Sequence, residues 1–101
     1  MKRLLFVVLF ATLSFTSSIE ARCYTAYVGG LDRYGDNFLA VREGPSTRYR
    51  QFTSLYNGNR VYVCDRSRSW RLVYFGSRCY LDYGRAVGRC SSGWVHGRYL
   101  R

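Results

Sequence analysis

From Cys23 onward, short apolar stretches alternate with polar turns, and no stretch sustains a helical period. Turn-forming residues recur every eight to twelve positions, a rhythm that predicts an all-β barrel or sandwich. Cys23–Val28 is the first expected strand. A polar excursion follows, bracketed by Gly29–Gly30 and Gly35–Asp36–Asn37. Phe38–Arg42 is the next strand and must stop at Gly44–Pro45, because proline has no N–H for a ladder. Thr47–Arg50 reads as a loop and Gln51–Leu55 as a further extended segment. Asn57–Gly58 is a tight turn, since both residues tolerate positive φ. In Arg60–Cys64 the alternation puts Val61 and Val63 on one face and Arg60, Tyr62 and Cys64 on the other. Asp65–Ser69 reads as a polar turn and Trp70–Phe75 as a strand. Gly76–Ser92, long and rich in Gly, Arg and Tyr, reads as a disulfide-stapled loop insertion. Trp94–Val95 then closes the sheet, and Gly97–Leu100 makes a last tight turn. The expected fold is all-β, a small barrel of about five short antiparallel strands.

Residues 1–21 follow a different pattern. Lys2 and Arg3 precede an apolar run from Leu4 to Phe15, and polar Thr16–Ser18 and small Ala21 come after it. This is the order of a cleavable export signal. The run falls short of the roughly 20 residues needed to span a bilayer as a helix. Cys23 lies just past the expected cut. Glu20 and Arg22 before it argue against lipid attachment, which needs small or apolar residues there. The expected organisation is a signal peptide over 1–21 and a single domain over 22–101, periplasmic or secreted, with no membrane span after cleavage.

A domain of that length buries a modest core and usually needs staples. It retains four cysteines, Cys23, Cys64, Cys79 and Cys90, an even number in an exported chain, so two disulfides are expected. No two of these cysteines are two to four residues apart, and His96 is the sole histidine, so neither a metal nor a cofactor is implied. Three connectivities are open. Cys79–Cys90 is favoured because Gly84 and Gly88 between them permit a tight excursion, and Cys23–Cys64 then follows by elimination.

Charge adds a second theme. The whole chain carries a formal +10; without residues 1–21 it carries +9, from 14 arginines against five acidic residues, with no lysine. Arginine is the better partner for carboxylate and phosphate because its planar fork donates two parallel bonds. All ten tyrosines also fall in 22–101, and Tyr with Arg is a common pairing on recognition surfaces.

The ordered set Leu39, Val41, Arg42, Gly44, Pro45, Ser46, Tyr49, Leu55, Gly58, Val61, Val63, Trp70, Val73, Gly93, Trp94, Val95, Tyr99 and Leu100 resembles the bacterial SH3-like (SH3b) domain. The resemblance covers roughly residues 38–101. It implies an SH3-like barrel and a non-catalytic binding module, often attached to cell-wall enzymes, that recognises peptidoglycan or its peptide stems. Two departures stand out. The Gly76–Ser92 insertion exceeds the hairpin usual there, so it could shape or cover a groove. The four cysteines look like a secreted subgroup's adaptation.

Catalysis is not expected. It would need a nucleophile with a base, paired carboxylates or a metal. His96 stands alone, the cysteines are consumed in disulfides, and Asp32, Asp36, Glu43, Asp65 and Asp82 are scattered among turns. For binding, the resemblance places Tyr49 and Tyr99 near the groove of such barrels. Trp70 opens a strand after a polar turn, where its ring could sit at the groove mouth. Tyr34, in the first long loop, could close one wall. Arg48, Arg50, Arg66, Arg68 and Arg71 flank these aromatics and could pair with carboxylates. The expected ligand-binding set is therefore Tyr34, Tyr49, Trp70, Tyr99, Arg48, Arg50 and Arg68. The expected partner is peptidoglycan or an acidic envelope peptide or protein, bound by a monomer. Two alternatives accompany it: an inhibitor or accessory subunit of an envelope enzyme, and a non-specific cationic binder of anionic polymer. Export argues against nucleic acid as a physiological partner.

Overall fold

The structure, a computed structural model, describes residues 22–101; the expected signal peptide lies outside the described residues. Six strands form one antiparallel sheet: β1 (Tyr24–Tyr27), β2 (Leu39–Arg42), β3 (Gln51–Leu55), β4 (Arg60–Ser67), β5 (Trp70–Asp82) and β6 (Arg85–His96). Their order across the sheet is β1-β4-β5-β6-β2-β3, and the sheet curls around a small apolar core. Valine fills the centre of that core. Val41, Val61, Val73 and Val95, one from each of four strands, are completely buried. Ala26, Val28, Leu39, Leu55 and Val63 complete the cluster. β-branched side chains suit this role because they lose little rotamer freedom in a strand.

The exposed edge of β1 is partly covered by the chain's other end. Tyr27 and Arg101 exchange backbone hydrogen bonds of 2.9 and 2.8 Å, and Val28 forms a bridge with Leu100. A sheet edge paired in this way no longer offers its N–H and C=O groups to another chain.

The all-β barrel-like architecture matches expectation, with one addition. Gly76–Ser92 is not a loop. β5 and β6 continue past the barrel as a paired arm, with Arg78 opposite Arg89 and Asp82 opposite Arg85, after an irregularity between Phe75 and Arg78. The sequence hides this because glycines at 76, 84 and 88 interrupt the apolar alternation by which strands are recognised. The arm reverses at Tyr83–Gly84, where φ is 50° and 76°. Paired positive φ values match the twist of the flanking strands in a two-residue hairpin turn, and glycine meets that demand without steric cost. β4 likewise runs through the expected polar turn as far as Ser67.

The arm folds back over the outer face of the barrel. The Cys23 N–H donates to the Gly84 carbonyl at 2.8 Å, and the Tyr62 hydroxyl donates to the Cys79 carbonyl at 3.4 Å. Tyr62 lies on the face of β4 opposite Val61 and Val63, where alternation alone would leave it in solvent, yet it is only 5% exposed. Cys79 beside it is 2% exposed, and neither belongs to the valine cluster. A second, smaller buried layer therefore sits outside the first. Two disulfides bind these parts. Cys23–Cys64 extends the β1–β4 ladder just beyond the Tyr24–Val63 pair, and Cys79–Cys90 crosses the arm.

Candidate binding site

Beyond Arg42 the chain leaves the sheet and turns at Gly44–Pro45. The Tyr49 ring lies 2.5 Å from where a Cβ on Gly44 would stand, so only glycine lets the ring close over the turn. The Arg42 guanidinium reaches into the same loop and donates through Nη1 to the Tyr49 carbonyl at 3.0 Å. Arg50 pairs with Glu43 on the loop's outer side. These contacts fix one wall of an open groove of about 550 Å³.

The excursion between β1 and β2 supplies another part of its lining. Asp32 shapes it by accepting the Tyr34 N–H at 2.9 Å, a local turn that aspartate favours. Asn57 anchors it from the β3–β4 turn, its Oδ1 accepting the Leu31 N–H at 3.1 Å. Asp32 and Asp36 line the groove, as do Arg42 and Arg98.

An aromatic row shares the same groove. Trp70 opens β5 directly opposite His96 at the end of β6, and their rings meet edge-on at 5.4 Å between centroids. Tyr99 continues the row, 6.4 Å from His96. Such edge-to-face geometry is the favoured one for aromatic pairs. The short 3₁₀ turn Gly97–Tyr99 carries Arg98 and Tyr99 back toward the groove. His96 caps that turn, its Nδ1 accepting the Arg98 N–H at 3.2 Å.

That hydrogen bond requires an unprotonated Nδ1, and the surroundings agree. Partial burial, then the positive charges of Arg98 and Arg71, hold the His96 pKa below the usual histidine value of 6.5. Protonation is thus less favourable in the fold than in the unfolded chain. The contribution to stability is present above pH 6.5 and is lost as pH falls below it. An NMR titration should place the His96 midpoint below 6.5, and Arg98→Gln should raise it; a midpoint at or above 6.5 would contradict this electrostatic picture.

Of the residues expected to bind, Trp70 and Tyr99 line the groove together. The other five lie elsewhere. Tyr34 is almost fully exposed on the first loop with the Arg33 guanidinium 5.8 Å from its ring centroid. Tyr49 is packed against Gly44, and Arg48 and Arg50 sit on the outer side of the same loop. Arg68 occupies the β4–β5 turn with φ of 55°, its carbonyl held by Arg71. Conversely, His96, Asp32, Asp36, Arg42 and Arg98 line the groove without having been singled out for binding. One signal for His96 was available: it alternates with buried Val95 and therefore points away from the core. No local signal pairs the 32–36 loop with the chain's end, because tertiary closure alone brings them together.

A curled β-sheet with an aromatic groove at one end is the architecture of a small SH3-like barrel. Residues 37–101 match the family described as the bacterial SH3 domain, and the chain belongs to that family. No curated protein and no solved structure matches the chain. The family match begins after Asp36, so the acidic wall of the groove comes from residues outside it. Among the described residues, no group of three His, Cys, Asp or Glu side chains is arranged to hold a metal ion, and no helix is long and apolar enough to cross a membrane.

Proposed function

We propose that the protein is an exported, non-catalytic binding module that takes a short peptide of the bacterial cell wall in the Trp70–His96–Tyr99 groove. Membership of a family of binding domains supports the coarse statement. Two disulfides in a small domain are compatible with an oxidising, extracytoplasmic location. The observation that carries the finer one is that the aromatic row shares one groove with two carboxylates, Asp32 and Asp36, and two arginines, Arg42 and Arg98. Groups of both signs in one groove suit a ligand that presents an amine and a carboxylate a few bonds apart. Peptidoglycan stem peptides carry both groups, whereas a purely acidic polymer would meet repulsion from the aspartates.

The test is an NMR titration of the oxidised protein with a soluble muropeptide. Perturbations are expected at Trp70, His96 and Tyr99, and Trp70→Ala should weaken binding at least tenfold, about 1.4 kcal/mol. Stacking on an aromatic face contributes energy of this order. Unchanged affinity in Trp70→Ala, or perturbations confined to the far face of the barrel, would refute the assignment.

A further inference from the structure

A second cavity lies beside the Cys23–Cys64 bridge. It encloses about 360 Å³ and is lined by Arg22, Tyr24, Cys64, Asp65, Arg66 and Arg71, with Val63 beneath. Three arginines and a single carboxylate thus line it. That carboxylate is already engaged, its Oδ1 accepting the Arg66 N–H at 2.7 Å. Arg66 and Arg71 stand directly opposite each other in the β4–β5 ladder. Like charges in that position destabilise a sheet, and an anion between them would reverse the sign of the interaction.

The side chains are also available. Neither Arg22 nor Arg66 has an ion-pair partner among the described residues. Arg71 donates through Nη1 to the Arg68 and Trp70 carbonyls at 2.8 and 3.0 Å, which orients its guanidinium. Arg22 is positioned by the arm. Its Cγ lies 3.1 Å from where a Cβ on Gly84 would stand, and the next residue's N–H is held by the Gly84 carbonyl. The Cys23–Cys64 bridge ties that same segment to β4. The arm and the staple therefore converge on holding a third arginine beside the Arg66–Arg71 pair.

We propose that this cavity is an anion site for a phosphate monoester, lined by residues other than those of the peptide groove. Three guanidiniums against one carboxylate leave about two positive charges, which match the −1.5 to −2 of a monoester at neutral pH. A carboxylate or a phosphodiester offers only about one. The planar forks of arginine suit the oxygens of a phosphoryl group.

The experiment follows the arginine Nε–Hε signals of the oxidised protein by NMR at constant ionic strength. Inorganic phosphate, methyl phosphate, dimethyl phosphate and acetate are titrated in turn. Saturable shifts are expected at Arg22, Arg66 and Arg71 with phosphate and methyl phosphate, and at least tenfold weaker binding of dimethyl phosphate and acetate. Arg66→Ala should weaken methyl phosphate at least tenfold, while Arg89→Ala, in the arm's outer ladder, should change it less than twofold. Arg66 is exposed, so its variant should retain the wild-type valine methyl spectrum, which checks the fold in the same sample. Equal, non-saturating shifts across all arginines would overturn the proposal. So would dimethyl phosphate binding as tightly as methyl phosphate, or undiminished affinity in Arg66→Ala. Failure of muropeptide binding at Trp70 leaves these outcomes unaffected, since the two sites are probed by different ligands and different signals.

Discussion

Replacing Cys23 and Cys64 together by serine is expected to lower unfolding stability by about 4 kcal/mol, read as a fall in urea midpoint. The bridge joins residues 41 apart in sequence. In the chain-entropy model a loop of that size removes about 4 kcal/mol of freedom from the unfolded ensemble, against about 3 kcal/mol for the 11-residue separation of Cys79 and Cys90. A domain of this length is stable by roughly 4–12 kcal/mol in all, so the first loss alone brings it near the point of unfolding. The structure gives the first bridge a further role, since it fixes β1 at the sheet edge beside the arm's anchor on Cys23. Removing Cys79–Cys90 should instead loosen the arm while leaving the valine core intact. A loss below about 1 kcal/mol for the Cys23/Cys64 variant would show that this staple does not hold the domain.

The reasons for these unequal roles also explain what the sequence reveals and what it conceals. β2 and the first half of β4 were legible because apolar residues alternate there, and β3 because Gly44–Pro45 and Asn57–Gly58 punctuate the chain on either side of it. The same alternation located Val61 and Val63 in the core. The disulfide pairing was within reach because glycines between Cys79 and Cys90 suggest a tight return. The arm was not legible, for it buries almost nothing on one face and carries glycine where strand residues would announce themselves. The groove was half legible. Trp70 and Tyr99 lie within segments whose pattern is clear, but Asp32 and Asp36 reach them only because the β1–β2 excursion is tied down by Asn57 from a distant turn. Arginines clustered in sequence at 48–50 and 66–68 drew attention as a group. Folding separates them: Arg48 and Arg50 remain on an exposed loop, while Arg66 stands opposite Arg71 in a ladder and lines one cavity with Arg22.

Tyr62→Ala tests whether the arm belongs to the folded structure or merely extends from it. Tyr62 is buried on the outer face of β4, and truncating a buried aromatic to alanine costs about 3–5 kcal/mol. Tyr62→Phe keeps the ring and removes only the hydroxyl that reaches the Cys79 carbonyl, so it should cost about 1 kcal/mol. The ratio between these losses separates packing from hydrogen bonding. Hydrogen exchange locates the effect. In Tyr62→Ala the Cys23 amide, bonded to Gly84, and the amides of the arm should lose protection before those flanking Val41, Val73 and Val95. Arm amides that exchange at wild-type rates in this variant would mean that Tyr62 does not anchor the arm. Loss of the arm's contact also frees Arg22 from its place beside Gly84, so the same variant should bind methyl phosphate more weakly while its Trp70 groove still takes a muropeptide. A single aromatic on the outer face of one strand would then couple stability, arm docking and the anion cavity, and leave the peptide groove outside that coupling.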